Sequence, residues 1–144
     1  MWIYNKTNNF EIPENSIGFI YQITNKIDNR TYVGRKMLTS NRKKVLTNKE
    51  KLLPENKRKK FKRDIKETDW KTYWGSSIDL KNDIKILGAD NFQREILLFC
   101  QTKTDISFYE TYFQIKKDVL FIPSYNNHIA NTKFFKGKVT PLSF

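Results

Sequence analysis

Residues 17–24 (IGFIYQIT) and 31–34 (TYVG) decide the fold of this chain. In the first run every second side chain is apolar or aromatic, so one face of the predicted strand carries Ile17, Phe19, Tyr21 and Ile23. The six residues between the two runs, NKIDNR, are rich in Asn and Asp, which favour turns. Two β-type runs around such a turn predict a β-hairpin.

A third strand is predicted at residues 92–100 (FQREILLFC). Its side chains alternate, which places Ile96 and Leu98 on one face, and its end is apolar on both faces. Residues 1–16 are polar and irregular, and we expect them to form an arm outside the sheet.

Two helices are predicted around this strand. The first is expected to begin with Ser76 as its cap and to end at Gly88. The second has the strongest helical pattern in the chain and spans 104–120, with Thr104 as the expected cap and Pro123 as the stop.

Most of the positive charge lies in one segment, residues 37–70. Between positions 42 and 66 there are twelve Lys or Arg and three Asp or Glu, a net charge of +9. After Pro54 the apolar residues Phe61 and Ile65 stand four positions apart, which predicts a weakly amphipathic, mostly solvated helix.

We expect this basic segment to contact the phosphates of a nucleic acid. The candidate basic residues are Lys43, Lys44, Lys57, Arg58, Lys59, Lys60, Lys62 and Arg63. The aromatic residues Trp70, Tyr73 and Trp74 follow directly. They form either a packed loop or a platform on which an unpaired base stacks.

Length and composition exclude several classes of protein. The chain has 144 residues and a net charge of +12, with one Cys and one His. A disulfide framework is therefore excluded, and a Cys/His zinc site is not expected. No 18-residue apolar run and no signal-peptide pattern is present, which predicts an intracellular, cytoplasmic protein with no membrane partner. A polyanion, above all nucleic acid, is the expected partner.

The order of short motifs resembles the GIY-YIG nuclease superfamily, and most closely the catalytic domains of phage homing endonucleases. The resemblance covers about residues 17–131 and rests on GFIY at 18–21, YVG at 32–34, Glu110 and Asn126. It implies an α/β (α+β) fold, in which helices flank a small, mainly antiparallel three-stranded sheet, here with a basic helical insertion. One departure is that Gly18 stands three residues before Tyr21, where the family has two. A one-residue shift moves a strand side chain to the other face.

The resemblance also implies roles for individual residues. Tyr21 is the expected general base, and Tyr32 orients it or shares the role. A nearby cationic side chain would lower the tyrosine pKa and bind the scissile phosphate. The candidates for this cation are Arg35, Lys36 and Arg42. Glu110 alone can hold one Mg²⁺ (or Mn²⁺), which keeps most of its waters. Asn126 is expected to fix Glu110 or the loop around it.

The sequence therefore predicts a metal-dependent DNA endonuclease of a phage-type, freestanding, homing-like kind. Either it is a compact nuclease whose insertion and loops recognise the DNA, or it cuts with low sequence selectivity or by DNA structure. We expect one nuclease domain over 1–144, with a tail at 132–144. The alternative is a non-catalytic nucleic-acid-binding module on the same scaffold, and a third interpretation is an RNA-directed nuclease or RNA binder. Two nicks need two active sites or two events, so a monomer and a dimer on DNA both stay open.

Overall fold

Four strands form the central sheet of the computed structural model, which describes residues 1–130 and 133–142. In spatial order they are β1 (Trp2–Tyr4), β6 (Phe92–Cys100), β2 (Gly18–Asn25) and β3 (Thr31–Met37). Strand β2 is antiparallel to both of its neighbours, whereas β1 runs parallel to β6. The predicted hairpin, third strand and mixed α+β class are confirmed, and the sheet has four strands rather than three.

The additional strand lies in the segment that the sequence predicts to be an arm. The Trp2 side chain is 4% exposed, packs edge-on against Phe19 and Tyr21, and donates its indole N–H to the Trp70 carbonyl at 2.7 Å. The prediction of an arm over 1–16 is thus wrong for β1. A strand of three residues is too short to show an alternating pattern.

A β-bulge interrupts the pairing of β2 with β6. Ile20 lies opposite Leu98 but Tyr21 lies opposite Ile96, so Leu97 is the extra residue. Ile96 and Leu98 consequently pack on opposite faces of the sheet, and their predicted shared face is wrong.

Both predicted helices exist, with shifted ends. Helix α2 (Ile78–Leu87) is capped by Ser77 rather than Ser76 and stops at Gly88 as predicted. Helix α3 (Lys103–Lys116) is capped by Thr102, whose hydroxyl accepts from the Asp105 N–H, rather than by Thr104. It ends before Pro123 because Asp118 adopts a left-handed conformation with φ 54°.

The helices bury the two faces of the central sheet. On one face, Leu80 of α2 packs with aromatic residues of β2, including Phe19 and Tyr21. On the other face, Ile106 and Tyr109 of α3 pack against Ile20 and Val33. Strand β3 lies at one edge of the sheet, and side chains of both layers meet there.

The basic segment folds as a second, two-stranded antiparallel sheet, which we call the basic ribbon. It consists of β4 (Thr39–Val45) and β5 (Phe61–Glu67), joined through the short helix α1 (Asn48–Lys51) and a 3₁₀ turn at Pro54–Asn56. The helical insertion predicted after Pro54 is therefore wrong, because that stretch is largely strand β5.

The predicted tail at 132–144 falls partly outside the described residues, at Thr132, Ser143 and Phe144. The part that is described folds back on α3, where the Thr140 N–H donates to Asp105 at 2.9 Å. No helix in the described ranges combines the length and apolar character that crossing a bilayer requires.

Candidate active site

Two tyrosines lie side by side where β2 and β3 pair. Tyr21 is opposite Gly34 and Tyr32 is opposite Ile23, so both rings point to the α2 face of the sheet, with their centroids 6.1 Å apart. Tyr21 is buried and Tyr32 is half-buried. The two residues line a cleft of about 700 Å³ at the β3 edge, which we call the tyrosine cleft.

Gly34 makes the close approach of these rings feasible. A Cβ at this position would lie 2.6 Å from the Tyr21 hydroxyl oxygen and 3.0 Å from the Tyr32 ring. Any side chain there would have to displace the phenol. Gly18 lies on the opposite face from Tyr21, as its three-residue spacing predicts. A Cβ on Gly18 would meet Ile106 of α3 at 2.6 Å.

A carboxylate and a guanidinium lie on the other side of the cleft. Glu110 projects from α3 with 14% of its side chain exposed, and the Arg35 Nε lies 3.7 Å from its carboxylate. Arg35 is half-exposed and also donates to the Ser107 hydroxyl at 2.8 Å. Because Arg35 leaves β3 on the α3 face and Tyr32 on the α2 face, the strand edge brings the tyrosines and the ion pair into one cleft.

Asn126 forms hydrogen bonds with backbone groups of β3 that face away from the sheet. Its carboxamide accepts from the Val33 N–H and donates to the Val33 carbonyl, both at 2.9 Å. Gln114 of α3 donates to the same carbonyl at 3.1 Å and accepts from the Ala130 N–H at 2.9 Å. Asn126 thus takes the place of a neighbouring strand between Tyr32 and Gly34. It positions the site through β3, while the sequence predicts a contact with Glu110 or its loop.

Of the three candidate cations, the structure brings only Arg35 to the tyrosine cleft. Lys36 points to the other face of β3, where its ammonium binds Asp69 at 2.6 Å above the Tyr73 ring. Arg42 lies on the basic ribbon, opposite Asp64.

The aromatic loop is packed rather than open for base stacking. Trp70 is buried at 8% exposure, Tyr73 lies edge-on against Tyr21, and the Trp74 ring is covered by Arg94 at 4.2 Å. Of the two alternatives that the sequence leaves open, the structure therefore supports the packed loop and not the base-stacking platform. The loop supports the α2 side of the cleft through the contact of Tyr73 with Tyr21.

The sequence missed two residues at the cleft. Ser76, which the sequence predicts only as a helix cap, shares a hydrogen bond with the Tyr32 hydroxyl at 2.9 Å. His128, which the sequence does not single out, is exposed and lines the cleft on the Glu110 side.

Burial controls the protonation of the site. It raises the pKa of Tyr21 far above the ordinary phenol value and also raises that of Tyr32, and the charge of Glu110 adds to both increases. Burial raises the pKa of Glu110 too, against opposing contributions from Arg35 and His128. Burial therefore opposes the lowering of a tyrosine pKa by a cation that the sequence predicts.

The single carboxylate of Glu110 in the tyrosine cleft fits the coordination of one hydrated magnesium ion. No group of three or more His, Cys, Asp or Glu side chains that could hold a metal gathers in residues 1–130 or 133–142. Mg²⁺ instead binds through one or two carboxylates and keeps several waters. Glu110 offers one such carboxylate, and the cleft has room for the waters.

Comparison with known families agrees with this geometry. The family model described as "Putative endonuclease segE, GIY-YIG domain" matches residues 2–135. Neither the curated proteins nor the solved structures contain a significant match to the chain. Since the family model spans nearly the whole chain, the protein belongs to the GIY-YIG endonuclease domain family, a family of nucleases.

Proposed function

We propose that this protein is a metal-dependent DNA endonuclease that hydrolyses phosphodiester bonds in the tyrosine cleft. The observation that carries the proposal is the meeting of Tyr21, Tyr32, Arg35 and Glu110 at one strand edge. Phosphodiester cleavage needs a positioned water, charge stabilisation at phosphorus and help for the leaving oxygen. These four side chains match those three needs.

Glu110 would hold the metal ion. When bound there, Mg²⁺ or Mn²⁺ offsets negative charge on the leaving 3′-oxygen and supplies an ionised water. Glu110 suits this role because its carboxylate is mostly withdrawn from solvent yet open to the cleft.

Arg35 would bind the scissile phosphate. Its guanidinium is half-exposed beside Glu110, so one edge can face an anion while Ser107 holds the other. Planar guanidinium donors suit phosphate oxygens.

Tyr21 and Tyr32 would orient the attacking water. A tyrosine that has first released its phenol proton to solvent would accept a proton from that water. Tyr32 is the member of the pair that reaches solvent, and Ser76 fixes its hydroxyl. Tyr21 lies behind it, in the space that Gly34 leaves free. Burial disfavours a phenolate on either ring, so the base role of Tyr21 needs a positive charge that the protein side chains do not supply.

The finer proposal is a phage-type, homing-like enzyme, with residues 1–144 acting as one nuclease domain. It rests on the likeness of the tyrosine motifs to phage homing endonuclease domains. Site-specific fragments from phage DNA support it, while random degradation contradicts it.

The test of the nuclease proposal is cleavage of supercoiled plasmid DNA with Mg²⁺ or with EDTA. We compare the wild-type protein with Glu110→Gln, which keeps the shape of the side chain, and with Tyr21→Phe. The exposed Glu11→Gln changes the net charge equally and serves as the matched control. We expect Glu110→Gln to lower cleavage by at least about a hundredfold and Glu11→Gln to leave it unchanged.

Two results would overturn the proposal. Full cleavage by Glu110→Gln contradicts the metal assignment. DNA binding by wild type without any cutting, with Mg²⁺ or Mn²⁺ present, supports the non-catalytic binding module instead.

A further inference from the structure

The two faces of the basic ribbon differ in their partners. Cross-strand pairing and alternation place one set of side chains on what we call the open face: Thr39, Asn41, Lys43, Val45, Phe61, Arg63, Ile65 and Glu67. The opposite set forms the anchored face: Ser40, Arg42, Lys44, Lys62, Asp64 and Lys66. On the anchored face, Lys62 binds Glu50 of α1 at 2.7 Å and Lys66 binds Asp64 at 3.5 Å.

On the open face the one carboxylate, Glu67 at the base of the ribbon, binds Lys71 and the Trp70 indole N–H rather than a cation of the ribbon. Within the described residues, neither Lys43 nor Arg63 lies within 4.0 Å of a carboxylate oxygen. Three large apolar side chains surround them and stay in water: Val45 at 63%, Phe61 at 49% and Ile65 at 64% exposure. An exposed apolar strip that carries unpaired cations is typical of a contact surface.

Like charges also face each other across the ribbon. Lys43 lies directly opposite Arg63, and Lys44 lies directly opposite Lys62. Directly opposed like charges destabilise a β-pair, and an isolated two-stranded sheet is already marginal in water. A polyanion bound to the ribbon removes this repulsion, so the free ribbon is electrostatically suited to one.

We propose that the open face of the basic ribbon enters the major groove of duplex DNA and recognises base sequence there. This inference rests on the proposed function, for which it names the substrate as a double helix. The major groove of B-DNA admits a two-stranded β-ribbon, whereas the deep, narrow major groove of duplex RNA does not.

The open face carries the chemistry for reading base edges. Arg63 and Lys43 suit the two acceptors of guanine, and Asn41 suits adenine. Phe61 and Ile65 offer apolar contact to thymine methyl groups. The anchored face lacks apolar residues and supplies only charge.

The chain length sets how far from the cut the recognised bases lie. Strand β4 continues from β3 with only Leu38 between them, so ten residue steps separate Arg35 in the cleft from Val45 at the far end. An extended chain covers at most about 36 Å in ten steps, or roughly ten base pairs at 3.4 Å each. The recognised bases therefore lie within about one helical turn of the cut.

The experiment is selection of bound duplexes from a random-sequence DNA pool, in EDTA, with the full chain. The open-face variant is Lys43→Ala/Arg63→Ala, and the matched control is Lys44→Ala/Lys62→Ala. Each variant removes two positive charges and one like-charge pair. Thermal unfolding is measured for both variants, and a cooperative transition confirms that each is folded.

We expect the wild-type protein to enrich a sequence motif. The open-face variant should lose preference at one or more base pairs by on the order of tenfold to a hundredfold. The control should keep the motif and bind all sequences more weakly. A selected duplex cut with Mg²⁺ should break within about ten base pairs of the motif.

Several outcomes would overturn the inference. These are no motif, an unchanged motif in the open-face variant, equal competition by duplex RNA, or dimerisation of the protein through Phe61 at micromolar concentration. Selection does not require cleavage, so the two proposals fail separately. A motif lost only in the open-face variant, without any cutting, leaves the ribbon inference standing and defeats the nuclease proposal.

Discussion

At the residue scale, the smallest change that tests the tyrosine pair is a methyl group at Gly34. Its carbon would lie 2.6 Å from the Tyr21 hydroxyl oxygen and 2.9 Å from Cζ, so Gly34→Ala must displace a buried phenol. We expect a loss of about 1–3 kcal/mol in the free energy of unfolding, measured in urea, together with a fall in cleavage.

The double variant Gly34→Ala/Tyr21→Phe separates these two effects. Removing the hydroxyl relieves the closest contact, so Tyr21→Phe should raise stability in the Gly34→Ala background without restoring cleavage. Strictly additive stability effects would show that the two residues do not interfere.

A second residue-scale prediction concerns Arg94. It is 5% exposed, lies over the rings of Trp2 and Trp74, and donates to the carbonyls of Lys71 and Tyr73. Arg94→Ala leaves both carbonyls without this donor and opens a cavity, and we expect a loss of about 2–4 kcal/mol in urea unfolding.

A lysine at position 94 tests whether the guanidinium geometry or only the positive charge of Arg94 stabilises the fold. Arg94→Lys keeps the positive charge but cannot stack on two rings and reach both carbonyls. It should recover only part of the loss. Full recovery would mean that charge alone matters at this position.

The limits of prediction are visible at neighbouring positions. Tyr21 and Tyr32 could be placed together because hairpin pairing follows from alternation and the turn. Arg35 and Lys36 could not be ranked, because strand alternation sends them to opposite faces and the sequence does not show which face α3 covers. Asn126 could be singled out, but its bonds to Val33 depend on how a loop packs against the strand edge.

At the element scale, the basic ribbon shows why a pattern can mislead. Phe61 and Ile65 stand four positions apart, which puts them on one side of a helix and equally on one face of a strand. With only these two apolar residues in a charged stretch, the sequence could not distinguish the two. The bulge at Leu97 was equally hidden, because one extra residue reverses every later side chain in the strand.

Reversing one charge tests the repulsion across the ribbon. Lys43→Glu converts the like-charge pair with Arg63 into an opposite-charge pair. We expect slower amide hydrogen exchange in β4 and β5 and, at the same time, weaker DNA binding. Lys57→Glu, which changes the net charge equally but lies outside both strands, is the control and should not slow exchange in them.

The connection within the ribbon should depend on pH through Glu50. The hydrogen bond from Lys62, with further bonds from Thr47, lowers the pKa of Glu50 to about 2. Because the folded pKa is lowered, this contribution to stability is fully present above the ordinary value of ~4.3 and is lost as the pH falls through about 2.

Carbon-13 NMR titration of the Glu50 carboxyl measures this directly. Lys62→Ala should move the midpoint upwards, towards the ordinary value, while Lys66→Ala, whose partner is Asp64, should leave it unchanged. A midpoint near 4.3 in the wild-type protein would show that the contact with Lys62 does not form in solution.

At the scale of the whole molecule, the cleft and the ribbon are separable parts of one chain. The cleft belongs to a sheet with a buried layer on each face, whereas the ribbon forms its own sheet and buries little beyond Leu46. Leu38 and Thr68 tie the base of the ribbon to the core, since the Thr68 N–H donates to the Leu38 carbonyl at 3.0 Å. Charge follows the same division, because the segment 42–66 carries +9 of the net +12.

Removing the ribbon therefore tests the division of labour. Thr39 lies directly opposite Glu67, so residues 40–66 can be replaced by Asn-Gly as a two-residue hairpin turn. We expect the shortened chain to unfold cooperatively, since the central sheet keeps both of its cores. Its net charge falls from +12 to +3, so the slope of log affinity against log salt should fall by more than half.

With Mg²⁺ the shortened chain should still cut DNA at high protein concentration, without sequence preference. Retained sequence preference would show that another surface reads the DNA, and a chain that no longer folds would show that the ribbon contributes to the core.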